Sequence, residues 1–196
     1  MHLPSLLLPL LLTLAAAKPK DPSPISDRKI TITHRTITSN RTFAETRAAL
    51  ESAIPLLNNT FSDLLRAGNS AGALEALKAL PALNNFSPQP RNFGLLVTIY
   101  NITGKNAIQY DIGNPYTASK FVRYDLEGSV YAPIRVSLLE QPAGKVKFVY
   151  DRPTTTFGQF DDPRIDVTAK ALDYELTQLF LFVGGWESEW PVPALP

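Results

Sequence analysis

The sequence predicts an α+β domain: an antiparallel sheet of about five strands with helices packed mainly on one face. Three observations lead there. Segments with helical apolar spacing are interleaved with short apolar runs bounded by turn residues. Those runs fall in pairs joined by tight connections, as in hairpins rather than β-α-β crossovers. The longest amphipathic stripe stands near the carboxyl end, where it can cover the sheet. The expected order is strand, helices, two strands, helix, two strands, helix.

The first strand is expected over Lys29–Thr36, with His34 half-buried on the face of Ile30 and Ile32. Thr42 and Glu45 have capping-box spacing. Phe43, Leu50, Ile54 and Leu57 then keep one helical side, and Pro55 stops the regular helix near Ile54. A short helix starts at Thr60, and a third covers Ser70–Leu80 up to Pro81. Residues 84–91 read as a polar, proline-interrupted loop. Gly94–Thr103 alternates Leu95, Val97 and Ile99 against Leu96, Thr98 and Tyr100, which reads as an interior strand hairpinned to Ala107–Ile112. Asn114 and Pro115 supply a cap and a first helical turn for a helix reaching about Tyr124. Val130–Leu139 and Lys145–Tyr150 form a second hairpin across residues 141–144. Asp162-Pro163 opens the clearest helix, with Ile165, Ala169, Leu172, Leu176, Leu179 and Val183 in one stripe, and Gly184-Gly185 ends it.

Composition narrows the function classes. The chain has 196 residues, a net charge of +1 and no cysteine. Thiol catalysis, cysteine zinc sites, iron–sulfur clusters and disulfides are therefore excluded. Near-neutrality gives no electrostatic case for nucleic acid. His2 and His34 are the only histidines, so a histidine-rich metal site is excluded, and no EF-hand spacing is present. No metal or cofactor is expected.

Residues 1–17 read as a cleavable secretory signal: an apolar run from Leu3 ends in Ala15-Ala16-Ala17, directly before Lys18. It is too short for a membrane span, as is the apolar run Leu179–Val183. Residues 18–27 read as a flexible lead-in, 28–185 as one domain and 186–196 as a tail. Four N-x-S/T sequons, at Asn40, Asn58, Asn85 and Asn101, are candidate glycan acceptors on a eukaryotic secretory route. The expected address is extracellular, with cleavage after Ala17.

One run carries a family resemblance. Ile112-Gly113-Asn114-Pro115, Lys120-Phe121, Tyr131-Ala132-Pro133-Ile134-Arg135-Val136, Gly144-Lys145-Val146 and Tyr150-Asp151-Arg152-Pro153 stand in order. Together they resemble the domain of unknown function 302 family, with its Gly-Asn-Pro helix start, Pro-Leu-Arg-like strand start and Tyr-x-Asp-Pro-like strand end. The likeness spans Ile112–Pro153. Residues 60–91 look like an insertion, and Ile134 stands where the family has leucine. The resemblance implies a compact α+β domain that pairs into dimers, with no agreed reaction.

The residues bring forward one candidate ligand-binding set: Asn114, Tyr131, Arg135, Tyr150 and Asp151. Arg135 is a strand-borne cation suited to a carboxylate or phosphate, or to pairing with Asp151 or Glu140. Tyr100, Tyr110, Tyr131 and Tyr150 are expected in four strands, where they could line an aromatic pocket. Asp161-Asp162 has the form of a paired-carboxylate site, although capping by Asp162 accounts for it. Lys120 and Arg123 read as a solvated helix edge.

No nucleophile–base set emerges, and no residue is assigned as catalytic. The leading expectation is a non-catalytic secreted domain that binds a small, partly apolar ligand or a protein partner. One alternative is a cofactor-independent hydrolase or isomerase with Asp151 as base and Tyr150 or Arg135 as electrophile. Another is a homodimeric cell-surface or wall-associated protein using a sheet edge or the Trp186/Trp190 tail.

Overall fold

The computed structural model describes residues 24–192, so the signal segment, the start of the lead-in and the last four residues lie outside the described residues. The sheet contains β1 (His34–Ser39), β2 (Asn84–Asn85), β3 (Arg91–Asn92), β4 (Ala107–Gly113), β5 (Ile134–Glu140) and β6 (Val146–Asp151). Its order is β1-β6-β5-β4-β2, with β3 also on β4, and every strand pair is antiparallel. The helices are α1 (Phe43–Ala53), α2 (Thr60–Arg66), α3 (Ser70–Lys78), α4 (Phe93–Leu96), α5 (Pro115–Val122), α6 (Pro153–Thr156) and α7 (Pro163–Val183), supplemented by 3-10 turns. This is the α+β architecture the pattern predicts.

Strand alternation decides which face is covered. Ile108, Tyr110 and Ile112 of β4, Ile134, Val136 and Leu138 of β5, and Val146, Phe148 and Tyr150 of β6 all turn inward and are buried. The stripe of α7 seals them: Ile165, Ala169, Leu172, Leu176, Leu179, Phe180 and Val183 are buried, and Phe148 stacks on Phe180 at 4.6 Å between ring centroids. At about 25 cal/mol per Å² of apolar surface removed from water, this seam is the main source of cohesion. Leu50 and Ile54 of α1 join the same core.

The capping box forms as spaced. Thr42 Oγ1 accepts from Glu45 N, and the Glu45 carboxylate accepts from the Thr42 hydroxyl and from Thr42 N, which together hold that carboxyl below its ordinary range. Asn114 caps α5, Asp162 caps α7, and Pro115 and Pro163 occupy their first turns. The second hairpin, β5 to β6, also forms as expected, with the β5 strand starting only after a 3-10 turn over Leu126–Tyr131 and a cis Ala132–Pro133 bond.

Three expectations are corrected. Residues 94–103 are not an interior strand: they form α4 and a 3-10 turn over Val97–Tyr100, and β4 pairs with β5, β2 and β3 instead. The apolar alternation there is a surface helical display, started by Asn92, whose side chain accepts from Leu95 N. The expected loop over 84–91 instead contributes β2 and opens β3, the short strands that take the vacated edge of β4. The first strand starts at His34 rather than Lys29, so its inward residues are Arg35, Ile37 and Ser39, and His34 points outward and is exposed.

The tail also departs from the expected trailing end. Trp186 Nε1 donates to Thr38 O at the β1 edge, and Trp190 packs against the core.

Gly94 fixes α4 in place. A Cβ there would overlap the Lys105 carbonyl oxygen and reach 3.0 Å from Ala107 N. Gly94→Ala should therefore destabilise the protein by about 2 kcal/mol, an overpacking effect read as a lower denaturant midpoint at unchanged slope. An unchanged midpoint would place α4 differently.

Candidate functional site

An apolar concavity lies where β4 ends and β5 begins. Ile112 and Gly113 supply one wall and Pro133 and Ile134 another. Thr117, Ala118 and Phe121 of α5 form the roof, while Phe157 and Leu172 close the floor. Its volume is about 250 Å³. No lining side chain is titratable, and the polar ones are Asn114, Thr117 and Ser129. Phe121 and Phe157 lie 4.2 Å apart between centroids, and Tyr131 meets Phe157 edge-on at 6.2 Å, so the aromatic floor is braced from behind.

Asn114 stands at the rim, but its polar atoms are committed. Its Oδ1 accepts from Tyr116 N at 2.7 Å and Thr117 N at 3.4 Å, and its Nδ2 donates to Pro81 O at 2.8 Å. The residue caps α5 and ties it to the segment after α3. What it offers a ligand is shape.

The other members of the candidate set lie elsewhere. Tyr131, Arg135 and Asp151 line a separate cleft of about 40 Å³ on the uncovered sheet face, with room for little more than a water or two. The Arg135 side chain has no hydrogen-bond or ion-pair partner among the described residues. Asp151 instead receives His34 Nδ1 at 2.8 Å, on an exposed surface. Tyr150 is turned to the opposite side, in the core, where burial raises its phenol pKa and its hydroxyl lies 3.4 Å from Thr177 Oγ1. Adjacent residues of a strand face opposite ways, so Tyr150 and Asp151 cannot address one substrate. That removes the Tyr150 version of the hydrolase alternative and leaves Asp151 with Arg135 in a cleft of about 40 Å³.

The tyrosines divide as well. Tyr110 and Tyr150 are buried under the helices, whereas Tyr100 and Tyr131 sit in 3-10 turns and not in strands. Tyr110 hydroxyl donates to Glu51 at 2.9 Å, and burial pushes its pKa upward.

Asp161 and Asp162 form no paired site. Asp162 accepts from Arg164 N and from the Arg164 guanidinium, which lowers its pKa to about 2. Lys120 lies over the Tyr116 ring, and Arg123 and Arg164 both lie over Tyr124.

Two acidic groups on α7 escaped the sequence reading. Asp173 is buried and accepts from Arg35 Nη1 at 3.0 Å, Arg152 Nε at 2.8 Å and Nη2 at 2.6 Å, and Thr154 Oγ1 at 3.0 Å. Arg35 also donates to Thr177 Oγ1 at 2.6 Å. The signal available was Asp173 and Thr177, one turn apart beside an otherwise apolar stripe. Glu175 is 3% exposed, with Oε2 lacking a hydrogen-bond partner. Burial raises its pKa to about 7, and the Lys120 charge pulls it part of the way back. Among the described residues, no group of three or more His, Asp and Glu could hold a metal ion, and no helix is long and apolar enough to cross a membrane.

Fold and pocket together define the class: an α+β domain with one antiparallel sheet, helices on one face, and an apolar recess at the sheet end. Residues 99–180 match the family described as Domain of unknown function DUF302, so this segment of the chain is similar to that family. A solved structure described as an uncharacterized conserved protein DUF302 from Bacillus stearothermophilus aligns with a TM-score of 0.54 at 14% identity. The alignment covers 75% of this chain and 94% of that one, a likeness of fold. No curated protein matches the chain. The motif residues Gly113, Asn114, Pro115, Ala132 and Pro133 all border the apolar recess.

Because the folded pKa of Glu175 exceeds its unfolded value of 4.5, the native state holds an extra proton between about pH 4.5 and 7. Stability should fall as pH rises through that window and level off above it. Glu175→Gln should match the parent protein near pH 4.5 and exceed it at pH 8 by about 2 kcal/mol in chemical unfolding. Equal curves at pH 8 would show that the carboxyl is ionised at little cost.

Proposed function

We propose that this protein is exported and binds one small, predominantly apolar molecule in the recess beneath α5, without transforming it chemically. The recess carries the reading: about 250 Å³ bounded by Ile112, Ala118, Phe121, Ile134, Phe157 and Leu172. An engineered apolar cavity of about 150 Å³ already takes benzene, so a single aromatic or a short hydrocarbon chain is the fitting class. The lining offers a hydroxyl at Thr117 and another at Ser129 to orient one polar end. With no acid or base in the lining, general acid–base catalysis has no agent there.

The export part of the reading rests on the apolar segment ending at Ala17 and on the sequons. Asn40, Asn58 and Asn101 are exposed, which is compatible with glycans, whereas Asn85 is half-buried in β2.

Indole is a suitable probe for methyl-resolved NMR titration. Shifts should concentrate on Ile112, Ala118, Ile134 and Leu172 and spare Leu139 and Val149 on the uncovered face. Ala118→Phe plugs the recess and should weaken binding about tenfold or more. Ala118→Leu provides a smaller plug if the first variant fails to fold. Shifts scattered over the surface, or an affinity indifferent to both plugs, would contradict the proposal.

A further inference from the structure

The ten residues from Phe93 to Ile102 display an apolar surface left exposed among the described residues. Phe93, Leu95, Leu96, Ile99, Tyr100 and Ile102 are all exposed, with Leu95 at 66%, Ile99 at 68% and Tyr100 at 73%. This is not a loose loop. Asn92 caps the segment, Gly94 is pressed against the Lys105 backbone, and Thr98 Oγ1 donates to Leu95 O at 2.8 Å. Leu95 and Ile99 stand four apart across α4 and the 3-10 turn that continues it, and Ile102 follows beyond the left-handed Asn101. Contiguous exposed apolar patches of this sort are uncommon on soluble monomers and mark a surface that something else covers.

The chain places a candidate cover on the patch itself. Asn101-Ile102-Thr103 is a sequon at its edge, and Asn101 directly follows the most exposed aromatic ring of the segment. Asn101 adopts the left-handed conformation (φ 60°), which asparagine tolerates, and is exposed. Its side chain has no hydrogen-bond partner among the described residues. The other sequons differ. Asn58 Oδ1 is held by Thr60 N at 2.9 Å and Thr60 Oγ1 at 2.6 Å. Asn85 accepts from Ser87 N with its side chain, and its backbone is paired on both sides to the segment after α1. Asn40 lies at the end of β1, outside the Phe93–Ile102 segment.

We infer that Asn101 carries an N-linked glycan whose first sugars lie over the Phe93–Ile102 face and keep it from associating with other apolar surfaces. The inference rests on the export reading above. The donor is a lipid-linked oligosaccharide pyrophosphate. The Asn101 Nδ2 to sugar C1 bond forms as the C1–O bond to pyrophosphate breaks. The lipid pyrophosphate leaves with the bonding electrons, and the amide gives up one proton. The result is a neutral, hydrated sugar chain, with C–H faces toward Tyr100 and Ile99 and hydroxyls toward water.

The test uses the full chain secreted from a glycosylating eukaryotic cell, treated with peptide N-glycosidase in ¹⁸O-water and read by peptide mass spectrometry. The Asn101 peptide should carry the label. If Asn40 or Asn58 is labelled and Asn101 is not, the inference fails while export stands. If no sequon of the secreted protein is labelled, the inference fails while export stands; if the full chain stays inside the cell with residues 1–17 attached, export and the inference fail together. For the shielding role, Asn101→Gln should shift the sedimentation boundary toward self-associated species. Leu95→Ser with Ile99→Ser in that background should restore the monomer. Enzymatic deglycosylation of the purified protein gives the same comparison if the variant is not secreted. A bare protein that sediments as the glycoprotein does would overturn the shielding role.

Discussion

The carboxylate of Asp173 joins three parts of the fold that the sequence keeps far apart. Arg35 reaches it from β1, Arg152 and Thr154 from the turn after β6, and the acid itself belongs to α7. Hydrogen bonds involving charged groups contribute about 1.5–3 kcal/mol each, and a buried carboxylate without them is strongly unfavourable. Apolar stripes specify which side of a helix faces a sheet but tolerate small slides along it. The two guanidinium groups reject such slides, because a displaced Asp173 leaves a buried charge unpaired. Leu172, the neighbouring residue, is thereby set as the floor of the recess beneath α5.

The recess follows from that placement. The roof helix α5 starts where β4 ends, and Asn114 satisfies its first amides while tethering it to Pro81. Helix α5 leans on α7 rather than lying flat on the strands, and Phe121, Phe157 and Tyr131 prop the gap with their rings. The family-motif residues thus act through backbone geometry at the recess, by capping and turning the chain, and the apolar character comes from residues around them. Glu175 is buried on the same helix α7, and that burial pushes its carboxyl up to about 7.

Much of the fold was legible because its signals are local. The Thr42–Glu45 box, the Asn114-Pro115 and Asp162-Pro163 helix starts, and the α7 stripe each need only a few residues to be read. The segment 94–103 misled because apolar residues on both strand faces and apolar residues around an exposed helical turn look alike in one dimension. Only the close approach of Gly94 to Lys105 separates them. The site was less legible for a related reason. Arg135, Tyr150 and Asp151 attract attention as polar or aromatic strand residues, yet strand alternation sends them to two faces. The recess is built from Phe86, Ala118, Phe157 and Leu172, of which Phe86 fell in an expected polar loop and Leu172 was read only as one member of the α7 stripe. Asp173 and Glu175 were hidden by an apolar stripe that dominated the reading of α7.

The central claim is that the recess accepts an apolar guest as folded, without rearrangement. Xenon-pressurised crystals test this most directly, since xenon binds through dispersion alone. The account predicts a xenon site bounded by Ile112, Ala118, Phe121 and Leu172, with the surrounding side chains unmoved. A recess that stays empty under pressure while xenon occupies other parts of the domain, or one found collapsed by α5 settling onto Ile134, would contradict it.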